Sequence, residues 1–197
     1  MARTIARSSL VAGAALFASL TVVLDIFFKY SAFKVPFPPA PFLKFDLDGL
    51  PVILSLLVFG PWAGAFSSIS LLLTIGYRGP PFAVLKVLAE ASTAAGVFIA
   101  WLLVKRMSGS RRPGGKALMI AALVLGVTTR ALVMLWGNWA LLPLFFGSSL
   151  EEYYRMALNA ALGIIVGFNV VQGGVNVAAA MLVYLGIRKR LPGSIET

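Results

Sequence analysis

The sequence predicts an all-α integral membrane protein, a bundle of six transmembrane helices with its N- and C-termini in the cytoplasm, forming a single domain over residues 1–197. Composition and length are the main observations. Of the 197 residues, 59% are hydrophobic and 12% charged, and the mean hydropathy is +0.92. Several apolar runs are long enough to cross a hydrocarbon core of about 30 Å, and in lipid a backbone without a closed barrel satisfies its hydrogen bonds only in helices. We therefore expect a multi-pass protein of the cell membrane.

Six apolar segments predict the individual helices, with an external lid loop over residues 29–46 after the first. The helices are expected at about 8–28, 47–59, 61–77, 82–104, 116–141 and 156–187. The second and third segments are also consistent with one helix kinked at Gly60-Pro61. Six spans place the cationic segments near Arg3, Lys105–Lys116 and Arg188–Arg190 on one side, as the positive-inside rule requires, whereas five spans do not.

The composition excludes several functional classes. The chain has no histidine and no cysteine, so disulfides, thiolate nucleophiles, imidazole bases and the commonest zinc and haem ligands are absent. We expect no catalytic residues, no metal site and no cofactor. The net charge of +10 lies mostly in short loops beside hydrophobic spans, where lipid headgroups and topology explain it. Without a basic, aromatic-interleaved face, we expect no nucleic-acid partner.

Amide side chains give the first indication of a site. In the last predicted helix Asn169, Gln172 and Asn176 are spaced i, i+3 and i+7, which places them on one face, and Asn138 lies in the helix before it. Amides offer donors and acceptors without charge and suit a neutral ligand with alternating carbonyl and N–H groups. Hydrogen bonding between helices is the alternative explanation, and the residues alone leave it open.

Charged and aromatic residues around the first long loop give the second indication. Lys44, Asp46 and Asp48 lie at the mouth of an otherwise apolar chain, where charges suggest a site. Prolines stiffen the same loop, and the many phenylalanines near it suit a flat ligand. We interpret the loop as a lid, with an interfacial aromatic belt as the alternative.

Charges within the predicted helices require partners, and Asp25, Glu90 and Arg130 are the candidates. A structural ion pair between Glu90 and Arg130 is the first interpretation, and a proton relay is the alternative. Small residues four apart, Ala14/Ala18 and Ala15/Ser19, allow another helix to approach the first helix closely.

Three stretches together resemble the substrate-binding S-component of energy-coupling-factor vitamin importers, specifically the riboflavin type. They are PFLKFDLDGLPVILSLLVFGPWAG from Pro41, TRALVMLWGNWALLPLFFG from Thr129 and GFNVVQGGVNVAAAMLVYLGIRKRL from Gly167. The resemblance implies a six-helix bundle that captures riboflavin, as transported ligand, at the outer face. It also implies partners, a transmembrane coupling subunit and two ATPase subunits, with Ala14 and Ala18 as the docking residues.

The resemblance also suggests ligand-binding residues, of which Lys44, Asp46, Asn138 and Asn169 match best. With Gln172 and Asn176 from the amide face, they form the predicted site. The sequence departs from the family pattern where Gly49 replaces an acidic residue, where Gln172 replaces a frequent lysine, and near Thr93, where asparagine is common. An isoalloxazine would place its apolar end against aromatic side chains and its pyrimidinedione edge against Asn169 and Gln172.

Other functions remain open from the residues alone. In one alternative the chain is an S-component for another vitamin or for FMN, whose phosphate the lysines of the lid region would suit. A stand-alone small-molecule transporter is a second alternative, although the absence of a GxxxxGK[ST] motif means that ATP-driven uptake needs partners. A membrane-embedded transferase would need clustered acidic ligands or a nucleophile with its base, and the sequence offers only Asp46 and Asp48 as a pair.

Overall fold

The computed structural model describes residues 7–31, 34–76, 79–109, 115–146 and 151–190, and these form six helices and one β-hairpin. The elements in chain order are α1 (Arg7–Tyr30), β1 (Val35–Phe37), β2 (Ala40–Phe45), α2 (Gly49–Phe59), α3 (Pro61–Ile75), α4 (Pro80–Ser108), α5 (Gly115–Phe146) and α6 (Glu151–Arg190). The six expected helices are present, and the longest extend a few residues beyond the predicted bounds. Arg3, Arg111, Arg112 and the predicted end of the third helix lie outside the described residues.

Of the six helices in the described part of the chain, four are long and apolar enough to cross a membrane: α1, α4, α5 and α6. Helices α2 and α3 are apolar but have only 11 and 15 residues. At 1.5 Å per residue each is shorter than a hydrocarbon core of about 30 Å. Helix α2 is enclosed by the other helices, whereas α3 keeps one apolar face exposed, with Trp62 and Leu73 the most exposed side chains on it.

The chain reverses direction between α2 and α3 at Gly60. This residue has φ of 92°, a value that favours glycine, and Pro61 occupies the first position of α3, where its missing N–H costs nothing. A Cβ placed on Gly64 would lie only 2.9 Å from the Cβ of Leu56. Residues eight apart in one continuous helix are about 12 Å apart, so this contact requires two antiparallel helices rather than one kinked helix.

Helix α2 is the centre of the bundle. Its side chains from Pro51 to Leu57 are buried on every face, as expected for a helix that is apolar all round. Val52 and Ile53 are fully buried and belong to one core with Val97 of α4, Leu118 of α5 and Met181 of α6. Because α2 begins at Gly49, its amino end delivers Asp46 and Asp48 into the middle of the bundle.

The predicted lid loop contains a short antiparallel β-hairpin. Val35 pairs with Phe45 and Pro36 with Lys44, and the turn contains Pro38 and Pro39. Prolines lack the N–H that a central strand needs, which is why the sequence indicates a loop here, but a two-stranded hairpin has only edge strands and tolerates them. The hairpin lies at the end of the bundle that α1 reaches with its carboxyl end.

Candidate functional site

A cavity of about 710 Å³ opens beneath the hairpin, between the carboxyl ends of α3 and α5 and the amino-terminal halves of α4 and α6. Four of the six predicted ligand-binding residues line it: Lys44, Asp46, Asn138 and Asn169. The other lining residues are Lys34, Leu43, Ile75, Phe82, Leu85, Lys86, Ala89, Arg130, Met134, Ile165 and Phe168. The volume lies in the range of about 300–1,000 Å³ typical of small-molecule sites.

Asp46 is the most heavily contacted residue of the site. Its carboxylate lies 2.9 Å from Nζ of Lys86 on α4 and 3.6 Å from Nζ of Lys34, which precedes β1. Nε2 of Gln172 on α6 donates to its main-chain oxygen at 2.8 Å and to its Oδ1 at 3.0 Å. Asp46 therefore ties the hairpin to two helices at once.

These contacts decide the protonation state of Asp46. Burial alone would raise the pKa of its carboxyl, but the Lys86 ammonium and the charge of Lys34 outweigh burial and hold the pKa well below its usual range. Asp46 is therefore ionised at physiological pH and presents a fixed negative charge at the cavity wall.

The two amides that line the cavity are held in fixed orientations. Nδ2 of Asn169 donates to the main-chain oxygen of Ile165 at 2.9 Å, and its Oδ1 accepts from Nε of Arg130 at 3.1 Å. Nδ2 of Asn138 donates to the main-chain oxygen of Met134 at 2.7 Å. Both residues are at least 90% buried, so their orientation costs a ligand little entropy.

Glu90 and Arg130 are adjacent at the base of the cavity, where Nη1 of Arg130 lies 2.9 Å from Oε1 of Glu90. The same Nη1 donates to Oγ1 of Thr93 at 3.1 Å. Lys86 lies 3.5 Å from Glu90 and 2.8 Å from Asp48, so three acidic residues surround its ammonium. A buried, hydrogen-bonded charge network of this kind fixes the positions of α4, α5 and the hairpin.

Gln172 and Asn176 do not line the cavity, although they share the face of Asn169. Gln172 lies behind Asp46 and orients it. Asn176 is fully buried about a helical turn deeper, and within the described part of the chain its side-chain nitrogen and oxygen have no hydrogen-bond partner. Helical periodicity predicts the shared face correctly, but it does not predict how deep the cavity reaches.

Gly49 lies beside Asn176, below the cavity, and its neighbours explain why glycine occupies this position. A Cβ on Gly49 would collide with Oε2 of Glu90 and with Nδ2 of Asn176. The acidic side chain that the family pattern places at this position would have to displace the buried ends of Glu90 and Asn176. Asp48, one residue earlier, supplies the carboxylate and contacts Lys86 instead.

Three phenylalanines close the hairpin over the cavity wall. The ring of Phe168 on α6 lies 5.7 Å from that of Phe37 and 5.2 Å from that of Phe45, measured between centroids. Phe37 and Phe45 meet edge to face. Such pairs each contribute about 0.5–1.5 kcal/mol beyond area burial, so the three rings help to hold the hairpin against α6.

The sequence does not single out Lys86 and Phe168, which line the cavity, and it indicates Lys34 only as one of the lysines of the lid region. Lys86 carried a usable signal, since it lies four residues before Glu90 in an apolar helix and intramembrane cations mark functional sites. No single local signal identifies Phe168, whose role follows from the hairpin. Among the described residues no group of His, Cys, Asp and Glu is arranged to hold a metal ion.

The two residues predicted to dock a partner have different environments. Ala18 is buried, and its main-chain oxygen accepts from Oγ of Ser70 on α3 at 3.3 Å, while Ala14 is half-buried. Ala15 and Ser19, the other small pair with four-residue spacing, are exposed. The face of α1 that is open to another helix therefore carries Ala15 and Ser19.

Comparison with known proteins gives the family. The sequence profile of the "ECF transporter, substrate-specific component" family matches residues 10–184. The solved structure of the S component of a bacterial ECF transporter is similar, with a TM-score of 0.71 and 21% identity over 94% of this chain and 99% of that chain. At this identity the structural likeness shows the fold alone, and no curated protein sequence matches the chain.

Proteins of this family are multi-pass membrane subunits that bind the substrate of a transporter, and they are not enzymes. The profile covers most of the chain, and the four long apolar helices agree with it. This multi-pass membrane protein therefore belongs to the family of substrate-specific components of ECF transporters.

Proposed function

We propose that this chain is the riboflavin-capturing subunit of an ECF importer. The cavity carries the proposal, because it combines an apolar wall with two oriented amides in a volume that suits a flat, drug-sized molecule. A coupling membrane subunit and two ATPase subunits would supply the energy, since the chain has no P-loop motif of its own.

The lining of the cavity supports a flavin. Phe82, Leu85, Ile165 and Phe168 form an apolar wall for the dimethylbenzene end of an isoalloxazine. Asn138 and Asn169 offer amide groups to the pyrimidinedione edge, whose carbonyl and N–H groups alternate. The ribityl hydroxyls would then reach the hairpin at Lys44 and Asp46. Gln172, expected in the sequence to contact the ligand, acts instead through Asp46.

The position of the cavity supports capture at the outer face. The hairpin and cavity lie where α1 ends and where the amino-terminal half of α6 lies, at the opposite end of the bundle from the first residue of α1 and the last residue of α6. The positive-inside rule predicts cytoplasmic termini, which places the cavity outside. Docking of the coupling subunit is proposed on α1, through the exposed Ala15 and Ser19.

Replacing Asn169 tests the site directly. Asn169→Ala removes an amide from the cavity wall and should weaken riboflavin binding by about 1–3 kcal/mol, measured by quenching of flavin fluorescence in detergent. Val170→Ala is the matched control, because Val170 is the next residue of α6 and is 42% exposed on the outside. Equal riboflavin affinity in Asn169→Ala, Val170→Ala and wild type would exclude this site for the flavin.

A further inference from the structure

We infer that the end of the bundle opposite the hairpin binds the headgroup of an anionic phospholipid through a basic cluster of Lys105, Lys116 and Arg188. These residues belong to α4, α5 and α6 in that order. The positive-inside rule predicts that this end faces the cytoplasm, and the cytoplasmic leaflet carries anionic lipids. The inference concerns a surface remote from the cavity and does not depend on riboflavin as the ligand of the cavity.

Positive and negative charges are separated along these three helices. Lys105 is in the last turn of α4, Lys116 is the second residue of α5, and Arg188 is in the last turn of α6. The acidic residue of α4, Glu90, lies about 22 Å along the helix from Lys105. Helix α5 has no acidic residue, and α6 has only the two with which it begins. At the end opposite the hairpin, the described parts of α4, α5 and α6 therefore present cations without carboxylates.

The contacts between the three helices place the basic cluster at one level. A Cβ on Gly126 of α5 would lie 3.1 Å from a side-chain carbon of Val97 on α4 and 3.1 Å from one of Val177 on α6, so these three residues are level with one another. The contacts of Arg130 with α4 and α6 show that α5 is antiparallel to both. At 1.5 Å per residue, the three cations lie about 12, 15 and 17 Å from this level toward the same end. Adjacent helix axes are about 8–10 Å apart, close to one Debye length, so the cations repel one another and a phosphate beside them relieves the repulsion.

Trp101 indicates the depth of the basic cluster in the membrane. Its ring stacks on that of Phe98, with centroids 6.2 Å apart and planes 9° from parallel, and Nζ of Lys105 lies 4.6 Å from the centroid of the Trp101 ring. Tryptophan is enriched where the hydrocarbon core meets the headgroups, so the ammonium of Lys105 lies at headgroup depth. Lys105 and Lys116 are both exposed, and neither has an ion pair with a described residue. Their ammonium groups are therefore available to a lipid phosphate.

Exposed apolar side chains near the basic cluster favour a lipid over a soluble anion. Large hydrophobic residues that are between 41% and 62% exposed lie within about two turns of the cluster on each helix: Leu102, Leu103, Ile120, Leu182 and Val183. Acyl chains cover such a surface while the phosphate contacts the lysines. An acidic protein would match the cations only, whereas an anionic phospholipid matches both the cations and the apolar surface beside them.

Native mass spectrometry of the detergent-purified protein tests the inference with two probes, phosphatidylglycerol and phosphatidylcholine. We expect the wild type to bind phosphatidylglycerol at least about tenfold more tightly, since each cation near an anionic headgroup strengthens binding by about fivefold. Lys105→Gln/Lys116→Gln should lose most of this preference. Lys189→Gln/Arg190→Gln is the charge-matched control: both residues are exposed in the last turn of α6 but lie outside the basic cluster, so this variant should keep the preference.

Lys105→Arg/Lys116→Arg keeps both charges and should keep the preference, which separates an effect of charge from an effect of misfolding. Equal affinity of the wild type for the two lipids overturns the inference, as do equal losses in the two glutamine variants or a loss in the arginine variant as large as in Lys105→Gln/Lys116→Gln. If Lys105→Gln/Lys116→Gln keeps the lipid preference but no longer copurifies with a coupling subunit, the basic cluster binds a protein and the inference is overturned.

Discussion

Nε2 of Gln172 on α6 lies 2.8 Å from the main-chain oxygen of Asp46 and 3.0 Å from its carboxylate, so one amide holds the end of the hairpin that covers the cavity. The contact joins residues 126 positions apart in the chain. Gln172 is therefore a positioning residue for Asp46, and the position of the hairpin depends on the position of α6.

Gln172→Ala should speed the release of riboflavin. The substitution leaves two buried oxygens of Asp46 without this donor, at a cost of about 1–3 kcal/mol, which corresponds to at least about fivefold faster dissociation. Stopped-flow release from the purified protein measures the rate. Val171→Ala, at the neighbouring exposed position, is the control. An unchanged dissociation rate in Gln172→Ala would show that Asp46 is held without this amide.

Gly49→Ala should destabilise the protein. The added Cβ collides with Glu90 and Asn176, and overpacking of a filled interior costs typically about 1–3 kcal/mol. Gly174→Ala is the matched control, since a Cβ there meets nothing within 4 Å, and alanine in a helix interior is favoured over glycine by about 1 kcal/mol. Thermal unfolding in detergent should separate the two variants, whereas similar behaviour would contradict the packing described around Gly49.

Removing Arg130 alone should destabilise the protein more than removing both Arg130 and Glu90. Arg130→Met leaves a carboxylate buried with a weaker set of partners, and losses of about 3–5 kcal/mol are typical of such changes. The double variant Glu90→Leu/Arg130→Met removes both charges and should recover part of the loss in unfolding temperature. Glu90→Leu is the second single variant, and a loss in the double variant equal to the sum of the two single losses would show that the two residues do not interact.

Asp46 should stay ionised across the physiological pH range. Because folding lowers its pKa, the stability it contributes is complete above the ordinary aspartate pKa of about 3.9 and is lost only as the pH falls through the lowered value. The difference in unfolding temperature between wild type and Asp46→Asn should therefore be constant from about pH 8 to about pH 5. If the difference shrinks between pH 8 and pH 5, the pKa of Asp46 is higher than the contacts with Lys86 and Lys34 imply.

Leucine on the exposed face of α1 should block assembly with the coupling subunit. Ser19→Leu adds bulk where close approach of another helix is expected, so copurification with that subunit should fall while riboflavin affinity is retained. Ala95→Leu, at an exposed alanine of α4, serves as the control. Ala18→Leu should instead lower the unfolding temperature, because Ala18 is buried. Normal assembly of Ser19→Leu would place the docking surface elsewhere.

The sequence predicts most of the fold because a chain surrounded by lipid has few ways to satisfy its backbone hydrogen bonds. Apolar runs in lipid become helices, and glycine followed by proline at 60 and 61 predicts the break that the structure shows. The hairpin escapes prediction because its prolines argue against strands unless the strands are known to be edges. Chain position alone cannot reveal it, since its stability depends on Phe168, more than 120 residues away.

Residue type and helical periodicity predict which polar side chains face the interior of the bundle. They do not predict which of these side chains reach the cavity, because that depends on how deep the cavity extends. Asn138 and Asn169 line the cavity, and the sequence singles them out because polar groups in apolar helices are costly and therefore informative. Gln172 and Asn176 share that signal but lie behind or below the cavity. The sequence does not indicate the role of Lys86, because its partners Asp46 and Asp48 are about 40 residues away in the chain. The cavity itself forms only when α3, α4, α5, α6 and the hairpin pack together.

Titration of the detergent-purified wild-type protein with riboflavin tests the central claim most directly. We expect saturable quenching of flavin fluorescence with one flavin bound per chain, and weaker binding in Asn169→Ala than in Val170→Ala. Absence of saturable binding by both riboflavin and FMN would contradict it, leaving the fold and the family in place and assigning the cavity to a different ligand.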